Sequence, residues 1–437
     1  MAPVLSRAAV RSQEPGSDKT PEKWDMIRPV MPRSGAVLLL GNYRPTICLV
    51  RELHALGYRT IVGRGGGEGG AEYSRFTDEI WDHPPCDGDG FIRALAALLG
   101  HRPDITVVFP VGEAFVRTVA AARDRLPADR VYAIPAAAVV EATLDKVAAY
   151  ALAGSVDVPV APYAVVDSPA AVRARCATIG YPVALRPLGA DGLAGAKAVI
   201  LASDAELGRV PAAWTRGHGG ILAQRYVTGR RHNLYFAARK GRLVRLLEAV
   251  IERTDRLDDT GLAVEGRSIE PTPDLARYTE RLAAALDYTG VGCAQFLVDP
   301  RSGAASFLEV NARIAGNHAI AVAGGLELGA LSITLAATDP PDVPFVRGRP
   351  GLHYAWTYGD LRGLIGALAS GLAFRAALRW ALRLLRALFT TDVHVTWRWD
   401  DPLPTLVLYA RSVGLFSRRL RRRPALPRFR AAADPSR

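Results

Sequence analysis

The chain has 437 residues, of which 49% are hydrophobic and 22% are charged; this balance excludes a largely disordered protein and predicts a sizeable core. Residues 362–437 contain fifteen arginines, no lysine and four acidic residues, so they supply +11 of the formal net charge of +12. We therefore expect this basic segment to have a role of its own. The four cysteines lie far apart, which argues against a zinc or disulfide framework and predicts the cytoplasm.

The first ordered region is predicted to be a parallel α/β sheet. Residues 1–34 are rich in proline and charge and have no apolar period, which predicts a disordered leader. An apolar run at 36–40 is followed by a helical pattern and a second apolar run at 60–62, the order strand, helix, strand. Further elements alternate in the same way, at 91–99 (helix), 106–110 (strand), 114–124 (helix) and 131–134 (strand). We expect a Rossmann-like sheet that closes near residue 143.

The pattern changes between residues 144 and 340, where several strands follow one another directly. Helices are predicted at 146–153 and 273–286, and strands at 221–226, 233–238, 243–251, 292–298 and 306–310. The turn at 299–303 joins the last two strands into a hairpin. This region is therefore expected to be α+β, mostly antiparallel, and long enough for two lobes.

The basic C-terminal appendage, 341–437, is predicted to contain a long helix at 361–389. Its arginines, Arg375, Arg379, Arg383 and Arg386, are spaced by four, four and three residues beside many leucines. Two interpretations stay open: the helix packs on the core with solvated arginines, or it adsorbs to an anionic membrane surface, helped by the basic tail at 418–423. The tail offers few aromatic stacking groups, so we do not expect specific nucleic-acid binding.

The strongest chemical signal lies in the predicted hairpin. Gln295, Glu309 and Asn311 have matching parity on two adjacent strands, so they share one face of the sheet. One carboxylate and two amide oxygens suit Mg²⁺, which also takes phosphate oxygens as ligands. Arg313, one step further on that face, is able to clamp an anion. The alternative is an ordinary amphipathic hairpin with a solvated polar side.

Other residues, in the same order along the chain, resemble the ATP-grasp superfamily. The resemblance runs from about residue 36 to residue 339, and is greatest to the carbamoyl-phosphate synthetase large subunit and the biotin carboxylase group. It rests on Asp145-Lys146, on the strand at 181–187 that contains Arg186, on the linker at 224–229, and on Gln295, Glu309, Asn311 and Arg313. It implies a pre-ATP-grasp domain at 35–143 and a two-lobed ATP-grasp domain at 144–340, with a lid lobe at about 155–225.

The resemblance also implies a role for each matching residue. Lys146 and Arg186 would contact nucleotide phosphate, and the linker residues Gln224, Tyr226 and Val227 would hold adenine. Gln295, Glu309 and Asn311 would be the metal ligands, and Arg313 would be the catalytic arginine.

The glycines at 189–195, Lys197 and His232 are each interpreted in two ways. The glycines at 189–195, including Gly192 and Gly195, permit a phosphate-wrapping lid to which Lys197 adds charge; a plain flexible connection is the alternative. His232 is predicted to hydrogen-bond the ribose, with a structural histidine as the alternative.

The implied function is an ATP-dependent carboxylate–amine (or carboxylate–thiol) ligase that acts through an acyl phosphate. Its cofactors would be ATP and one or two Mg²⁺ ions, with Mn²⁺ as a substitute, and its partners a small carboxylate and an amine. Two alternatives remain: a bicarbonate-activating enzyme similar to carbamoyl-phosphate synthetase, and a non-catalytic nucleotide-binding scaffold tethered to a membrane surface. A homodimer and a peripheral location on the inner membrane face are further predictions.

Overall fold

The N-terminal region forms a parallel sheet covered by helices. The computed structural model describes residues 35–166, 169–188, 198–209, 220–337, 342–412 and 428–429. The first elements are β1 (Ala36–Leu40), α1 (Arg44–Ala55), β2 (Arg59–Arg64), β3 (Glu79–Asp82), α2 (Asp89–His101), β4 (Ile105–Pro110), α3 (Glu113–Ala121), β5 (Val131–Tyr132), α4 (Ala137–Leu144) and α5 (Lys146–Ser155). The strands pair in the order β3-β2-β1-β4-β5, all parallel. β1 is completely buried, as expected for a strand in a sheet with covered faces, and the predicted parallel α/β sheet is confirmed.

A small antiparallel sheet follows. Its elements are β6 (Tyr163–Val166), α6 (Pro169–Ile179), β7 (Val183–Pro187), β8 (Val199–Leu201) and β9 (Ile221–Arg225). The strand order is β6-β9-β7-β8, and every pairing is antiparallel. Apolar residues on one side of this sheet pack with α6 around Cys176, which gives the lobe a core of its own.

The largest sheet holds the predicted hairpin. Its elements are β10 (Arg230–Arg239), β11 (Arg242–Thr254), β12 (Ala263–Ile269), α7 (Pro273–Ala285), β13 (Gly290–Val298), β14 (Ala305–Asn311), α8 (His318–Ala323) and α9 (Leu328–Leu335). β14, β13, β10, β11 and β12 are neighbours in that order and are antiparallel. The predicted mixed α/β and α+β architecture is therefore confirmed, and β12 is a strand that the sequence patterns did not predict.

The C-terminal segment adds strands to this large sheet. Its elements are β15 (Val346–Arg347), β16 (His353–Ala355), α10 (Thr357–Ala369), α11 (Phe374–Thr390), β17 (Val393–His394), α12 (Leu403–Ser412) and β18 (Arg428–Phe429). β16 pairs with β12, and β17 pairs with β16. The single helix predicted at 361–389 is two helices, because the chain turns at Gly371, whose φ is 87°. Among the helices of the described ranges, none combines the length and the hydropathy that crossing a bilayer requires.

Buried polar contacts join the first sheet, the large sheet and the C-terminal segment. Arg51 on α1 forms an ion pair with Asp401, at 2.9 Å between Nε and Oδ2, and both side chains are buried. Glu52, the next residue, accepts from the backbone N–H of Gly329 and contacts Nε2 of His318 at 2.7 Å. The first sheet, the large sheet and the C-terminal segment therefore pack as one body around α1.

Candidate active site

A cavity of about 410 Å³ lies between the small sheet and the large sheet. Its size falls in the usual range for small-molecule sites. The predicted site residues that line it are Arg186, Gln224, Tyr226, Val227, Gln295 and Glu309. Apolar side chains from both sheets, such as Ile200, Leu297 and Leu308, complete the walls. The cavity walls thus mix apolar side chains with charged ones, among them Arg230, Arg231 and Arg253.

One polar part of the cavity wall is built by β13 and β14. Gln295 lies directly opposite Glu309 in the antiparallel ladder, and Cys293 lies opposite Asn311. The side-chain amide of Asn311 donates to Oε1 of Glu309 at 2.8 Å, and Arg313 donates to Oδ1 of Asn311 at 3.0 Å. The predicted shared face is therefore observed for Gln295, Glu309 and Asn311, because a β-bulge shifts the register between Phe296 and Gln295, and Arg313 follows just beyond the end of β14.

This arrangement fits a hard cation. The oxygens of Glu309, Gln295 and Asn311 are the type of ligand that Mg²⁺ prefers. The NH₂ group of Asn311 now faces Glu309, so a cation held by all three residues would require the Asn311 amide to turn over. The same turn would break the hydrogen bond from Arg313 to Oδ1 of Asn311, so the Arg313 guanidinium would be available to an anion.

Arg186 lies on the opposite wall of the cavity, near the end of β7. Its guanidinium donates to the hydroxyl of Tyr150 and, at 3.3 Å, to Oε1 of Gln224. Tyr150 also donates to Oε1 of Gln224 at 3.1 Å. Nε of Arg186 and Nε2 of Gln224 are buried without a hydrogen-bond partner among the described residues. Unpartnered buried donors are costly, so these two N–H groups are suited to a ligand's acceptors.

Lys146 is close enough to both walls to interact with each. It is the first residue of α5, whose N-cap Asp145 accepts from the backbone N–H groups of Val147 and Ala148. Burial, together with the charge of Arg186, lowers the pKa of Lys146, while Glu309 raises it. Lys146 thus experiences the repulsion of Arg186 and the attraction of the carboxylates of Glu309 and Glu113. An anionic ligand between Lys146 and Arg186 would relieve their repulsion.

Comparison with known proteins identifies this fold. The family model of the carbamoyl-phosphate synthase L chain, ATP binding domain, matches residues 266–341, which include β13, β14 and Arg313. The biotin carboxylase of Campylobacter jejuni superimposes with a TM-score of 0.59, at 18% identity, over 73% of this chain and 74% of that chain. The chain has the ATP-grasp fold.

Two further solved structures are similar to it. The biotin carboxylase domain of 2-oxoglutarate carboxylase from Hydrogenobacter thermophilus, a dimer in complex with MgADP, ADP and bicarbonate, has a TM-score of 0.58, at 18% identity, over 73% of both chains. N5-carboxyaminoimidazole synthetase from Staphylococcus aureus has a TM-score of 0.54, at 11% identity, over 71% of this chain and 79% of that one. No curated protein matches the chain.

Within the ATP-grasp fold, the linker after β9 borders the cavity. Tyr226 and Val227 are among the lining residues. The backbone N–H of Tyr226 donates to the carbonyl of Pro182 at 2.9 Å, so it is already engaged. An adenine contact from this linker would therefore come from its other backbone groups.

The structure contradicts the predicted ribose contact of His232. On β10, His232 pairs with Phe296, whereas Asn233 pairs with Gln295, so His232 faces the side of the sheet away from the metal face. Its Nδ1 is hydrogen-bonded to the buried Glu248. His232 has the parity of the fully buried Phe296, so its ring turns toward the core and Glu248. The structural alternative for His232 is the correct one.

Gly192, Gly195 and Lys197, the residues predicted for a phosphate lid, lie outside the described residues. So do the leader at 1–34 and the basic tail at 418–423. The lid and the tail remain predictions.

The sequence analysis missed several polar residues near the site. Tyr150 lies one helical turn after Lys146, so a shared helix face was a usable signal. Arg231, Asn233 and Tyr235 alternate with His232 and apolar residues along β10, and they have the parity of Gln295. Their alternation was visible in the sequence, but its face could be assigned only once the register was known.

Proposed function

We propose that the protein is an ATP-dependent ligase that activates a carboxylate as an acyl phosphate and transfers the acyl group to an amine. The observation that supports this most is the row formed by Gln295, Glu309, Asn311 and Arg313, of which Gln295 and Glu309 line the cavity. Phosphoryl transfer needs positioning and charge neutralisation more than a protein nucleophile. The row supplies metal ligands next to a guanidinium, which are the parts that this chemistry uses.

In the first step, an oxygen of the substrate carboxylate bonds to the γ-phosphorus of ATP, and the bond from that phosphorus to the bridging β-oxygen breaks. ADP leaves and an acyl phosphate remains. Arg186 and Lys146 offset the charge of the phosphates from one side. Arg313 holds the carboxylate in line and neutralises it as the new bond forms.

In the second step, the amine nitrogen bonds to the acyl carbon, the carbon–oxygen bond to phosphate breaks, and the nitrogen loses a proton. Inorganic phosphate and an amide are the products. Arg313 keeps its contact with the phosphoryl oxygens, so the leaving group departs as a stabilised anion.

Gln295, Glu309 and Asn311 would hold Mg²⁺, with Mn²⁺ as a substitute of similar ligand preference. A bound ion supplies Lewis-acid stabilisation of the transferring phosphoryl group. The contribution of the chain is to hold the carboxylate of Glu309 directly opposite the amide of Gln295.

Hydroxylamine trapping tests the proposal. The purified protein is incubated with MgATP, a panel of carboxylic acids and hydroxylamine, and both ADP and hydroxamate are measured. We expect at least one acid to give equal amounts of ADP and hydroxamate, because hydroxylamine attacks an acyl phosphate. ADP that appears only with bicarbonate, without hydroxamate, would support the bicarbonate-activating alternative. Binding of ATP without ADP release under every condition would support the scaffold.

A second role, attachment to a membrane surface, is favoured by α11. The side of this helix that packs on the protein is made of Ala377, Trp380 and Ala387, which are buried. Its apolar residues Phe374, Leu382 and Phe389 are nevertheless 79%, 57% and 81% exposed. The four predicted arginines, Arg375, Arg379, Arg383 and Arg386, are also exposed. An exposed apolar stripe beside a cationic stripe is typical of helices that lie in a bilayer interface.

Vesicle pelleting tests this role. Wild-type protein should pellet with vesicles that contain an anionic phospholipid and much less with neutral vesicles, because both stripes contribute. The double substitution Leu382→Glu and Leu385→Glu should abolish pelleting. Leu257→Glu is the matched control, since Leu257 is 70% exposed outside α11. Equal pelleting of the double variant and the control would contradict attachment through α11.

The cytoplasmic location and the homodimer also remain predictions for this chain. Light scattering at several protein concentrations tests the latter.

A further inference from the structure

A second cavity, of about 360 Å³, lies between α11 and the end of β11. Residues between 252 and 259 form one wall, and they also separate it from the cavity of the candidate active site (the first cavity), which several of them line as well. One face of α11 forms the other wall, with residues spaced by three, one and three positions: Ala376, Arg379, Trp380 and Arg383.

Hydrogen bonds hold the inner side of the second cavity in place. Nε1 of the buried Trp380 donates to Oδ1 of Asp360 at 2.6 Å, and Oδ2 of Asp360 accepts from Arg253. Nε of Arg253 donates to Glu265 at 2.6 Å. This chain links α10, α11, β11 and β12, so α11 is fixed against the other wall and the cavity is preformed, as is usual for a ligand site.

The charged residues contributed by the β11 side already have partners for the most part. Arg256 forms an ion pair with Asp258 at 2.8 Å, and Glu252 forms one with Arg267 at 3.1 Å. Arg253 is held by the two carboxylates named above. These groups therefore neutralise one another and leave little net charge on this wall.

Arg379 and Arg383 supply the unpaired positive charge of the cavity. Both are exposed, and neither forms a hydrogen bond or an ion pair with a residue that the structure describes. Asp259 is the one lining carboxylate in the same condition among the described residues, so unpaired cations exceed unpaired anions. Residues four apart on a helix are neighbours, and two planar guanidinium groups match the oxygens of a phosphate.

The exposed apolar residues of α11 set the position of this cavity relative to a membrane. They recur every three or four positions, on a different face of the helix from the one that lines the cavity. A helix that buries such a face in a bilayer lies at the depth of the phospholipid headgroups. Arg379 and Arg383 would then lie among the headgroup phosphates. The exposed apolar residues are Phe374, Leu378, Leu382, Leu385 and Phe389.

We propose that the second cavity binds a phosphate group through Arg379 and Arg383, either the headgroup phosphate of an anionic phospholipid or the phosphate of a soluble ester. The lipid source rests on the membrane attachment proposed above, whereas the phosphate site itself does not, and neither depends on the ligase reaction. The site is distinct from that of ATP, because neither arginine lines the first cavity.

Isothermal titration calorimetry on the full chain tests the site, with MgADP in excess to occupy the first cavity. The probes are dihexanoylphosphatidylglycerol, which is soluble without vesicles, and glycerol 3-phosphate. We expect one probe or both to bind wild-type protein. The double substitution Arg379→Gln and Arg383→Gln should raise the Kd at least about tenfold, because two charged hydrogen-bond donors are lost.

The matched control is the double substitution Arg375→Gln and Arg386→Gln. It removes the same charge from the same helix, but these two exposed arginines do not line the cavity. Its Kd for the probe should therefore stay close to that of wild-type protein. If both double variants weaken binding equally, the arginines act only as a charged stripe and the site is wrong. The site is also wrong if neither probe binds wild-type protein.

The two probes also distinguish the sources of the phosphate. Binding of the lipid alone would assign the cavity to a phospholipid headgroup, and equal binding of glycerol 3-phosphate would assign it to a soluble ester. The membrane and ligase proposals are judged by separate measurements, vesicle pelleting of the α11 leucine variant and hydroxamate formation. Failure of either one therefore leaves the result of the calorimetry unchanged.

Discussion

The polar residues on the two faces of the large sheet differ in how deeply they are buried. On the core face, His232 and the backbone N–H of Thr272 both pair with Glu248, which is completely buried. On the metal face, Gln295, Glu309 and Asn311 are only half-buried, and Gln295 and Glu309 line the cavity. The difference arises because alternate residues along a strand point to opposite faces of the sheet. Fully buried, paired groups here support the fold, whereas the half-buried row is where we expect a ligand.

The largest effect is expected for Glu309→Gln on the metal face. This substitution removes the only carboxylate of the proposed ligand row, so acid-dependent ADP release should fall about a thousandfold, as expected when several kcal/mol of metal-ion stabilisation are lost. Steady-state kinetics measures the change. Glu280→Gln, on the exposed side of α7, is the matched control and should keep wild-type rates. Equal activity of the two variants would mean that Glu309 does not bind the metal.

The core face should respond in stability instead of turnover. Glu248→Ala removes the acceptor of His232 and of the N–H of Thr272 at the start of α7, and leaves both groups buried and unpaired. We expect the free energy of unfolding to fall by about 3 kcal/mol, measured by urea titration, with the KM for ATP unchanged in the folded fraction. A variant as stable as Glu280→Ala would show that the network contributes nothing.

Arg186 tests the opposite wall of the cavity. Arg186→Met removes one phosphate-facing charge but keeps the length of the side chain, so the Kd for ATP should rise about tenfold to a hundredfold. Isothermal titration calorimetry measures the Kd for ATP of the wild-type protein, of Arg186→Met and of the exposed control Arg93→Met. An unchanged Kd would place the triphosphate elsewhere.

The smallest expected effect is the uptake of a proton by Lys146 when ATP binds. Burial and Arg186 lower the pKa of Lys146 below its usual value of 10.5, and bound phosphate would raise it again. Between the lowered and the raised pKa, ATP binding should therefore take up a proton, and the affinity should fall as the pH rises. Calorimetry in two buffers of different ionisation enthalpy measures the uptake. Lys146→Met should abolish it, and an uptake that persists in this variant would assign the proton to another group.

Much of the fold was predictable because its signals are local. The alternation of strands and helices in residues 36–134 predicted the parallel sheet, and the matching parity of Gln295, Glu309 and Asn311 predicted that they share a face. The parity holds because of a β-bulge: Val298 pairs with Ala305, a register that would place Leu308 opposite Gln295, and the shift between Phe296 and Gln295 brings Glu309 there instead.

The remaining features depend on contacts between distant segments. Arg51 and Asp401 are 350 residues apart in the sequence, and no local pattern predicts the buried ion pair that they form. His232 was misassigned because a one-residue difference in strand phase moves a side chain to the other face. The C-terminal segment was predicted as an appendage from its charge, but charge does not indicate that β16 extends the large sheet.

A crystal structure with Mn²⁺ and a non-hydrolysable ATP analogue is the most direct test of the central claim. The account predicts an anomalous scattering peak within coordination distance of Glu309 and Gln295, between them and the terminal phosphates, with the amide of Asn311 turned toward the metal. A nucleotide bound in the cavity with the metal peak elsewhere, or with Glu309 still bonded to the NH₂ group of Asn311, would contradict it.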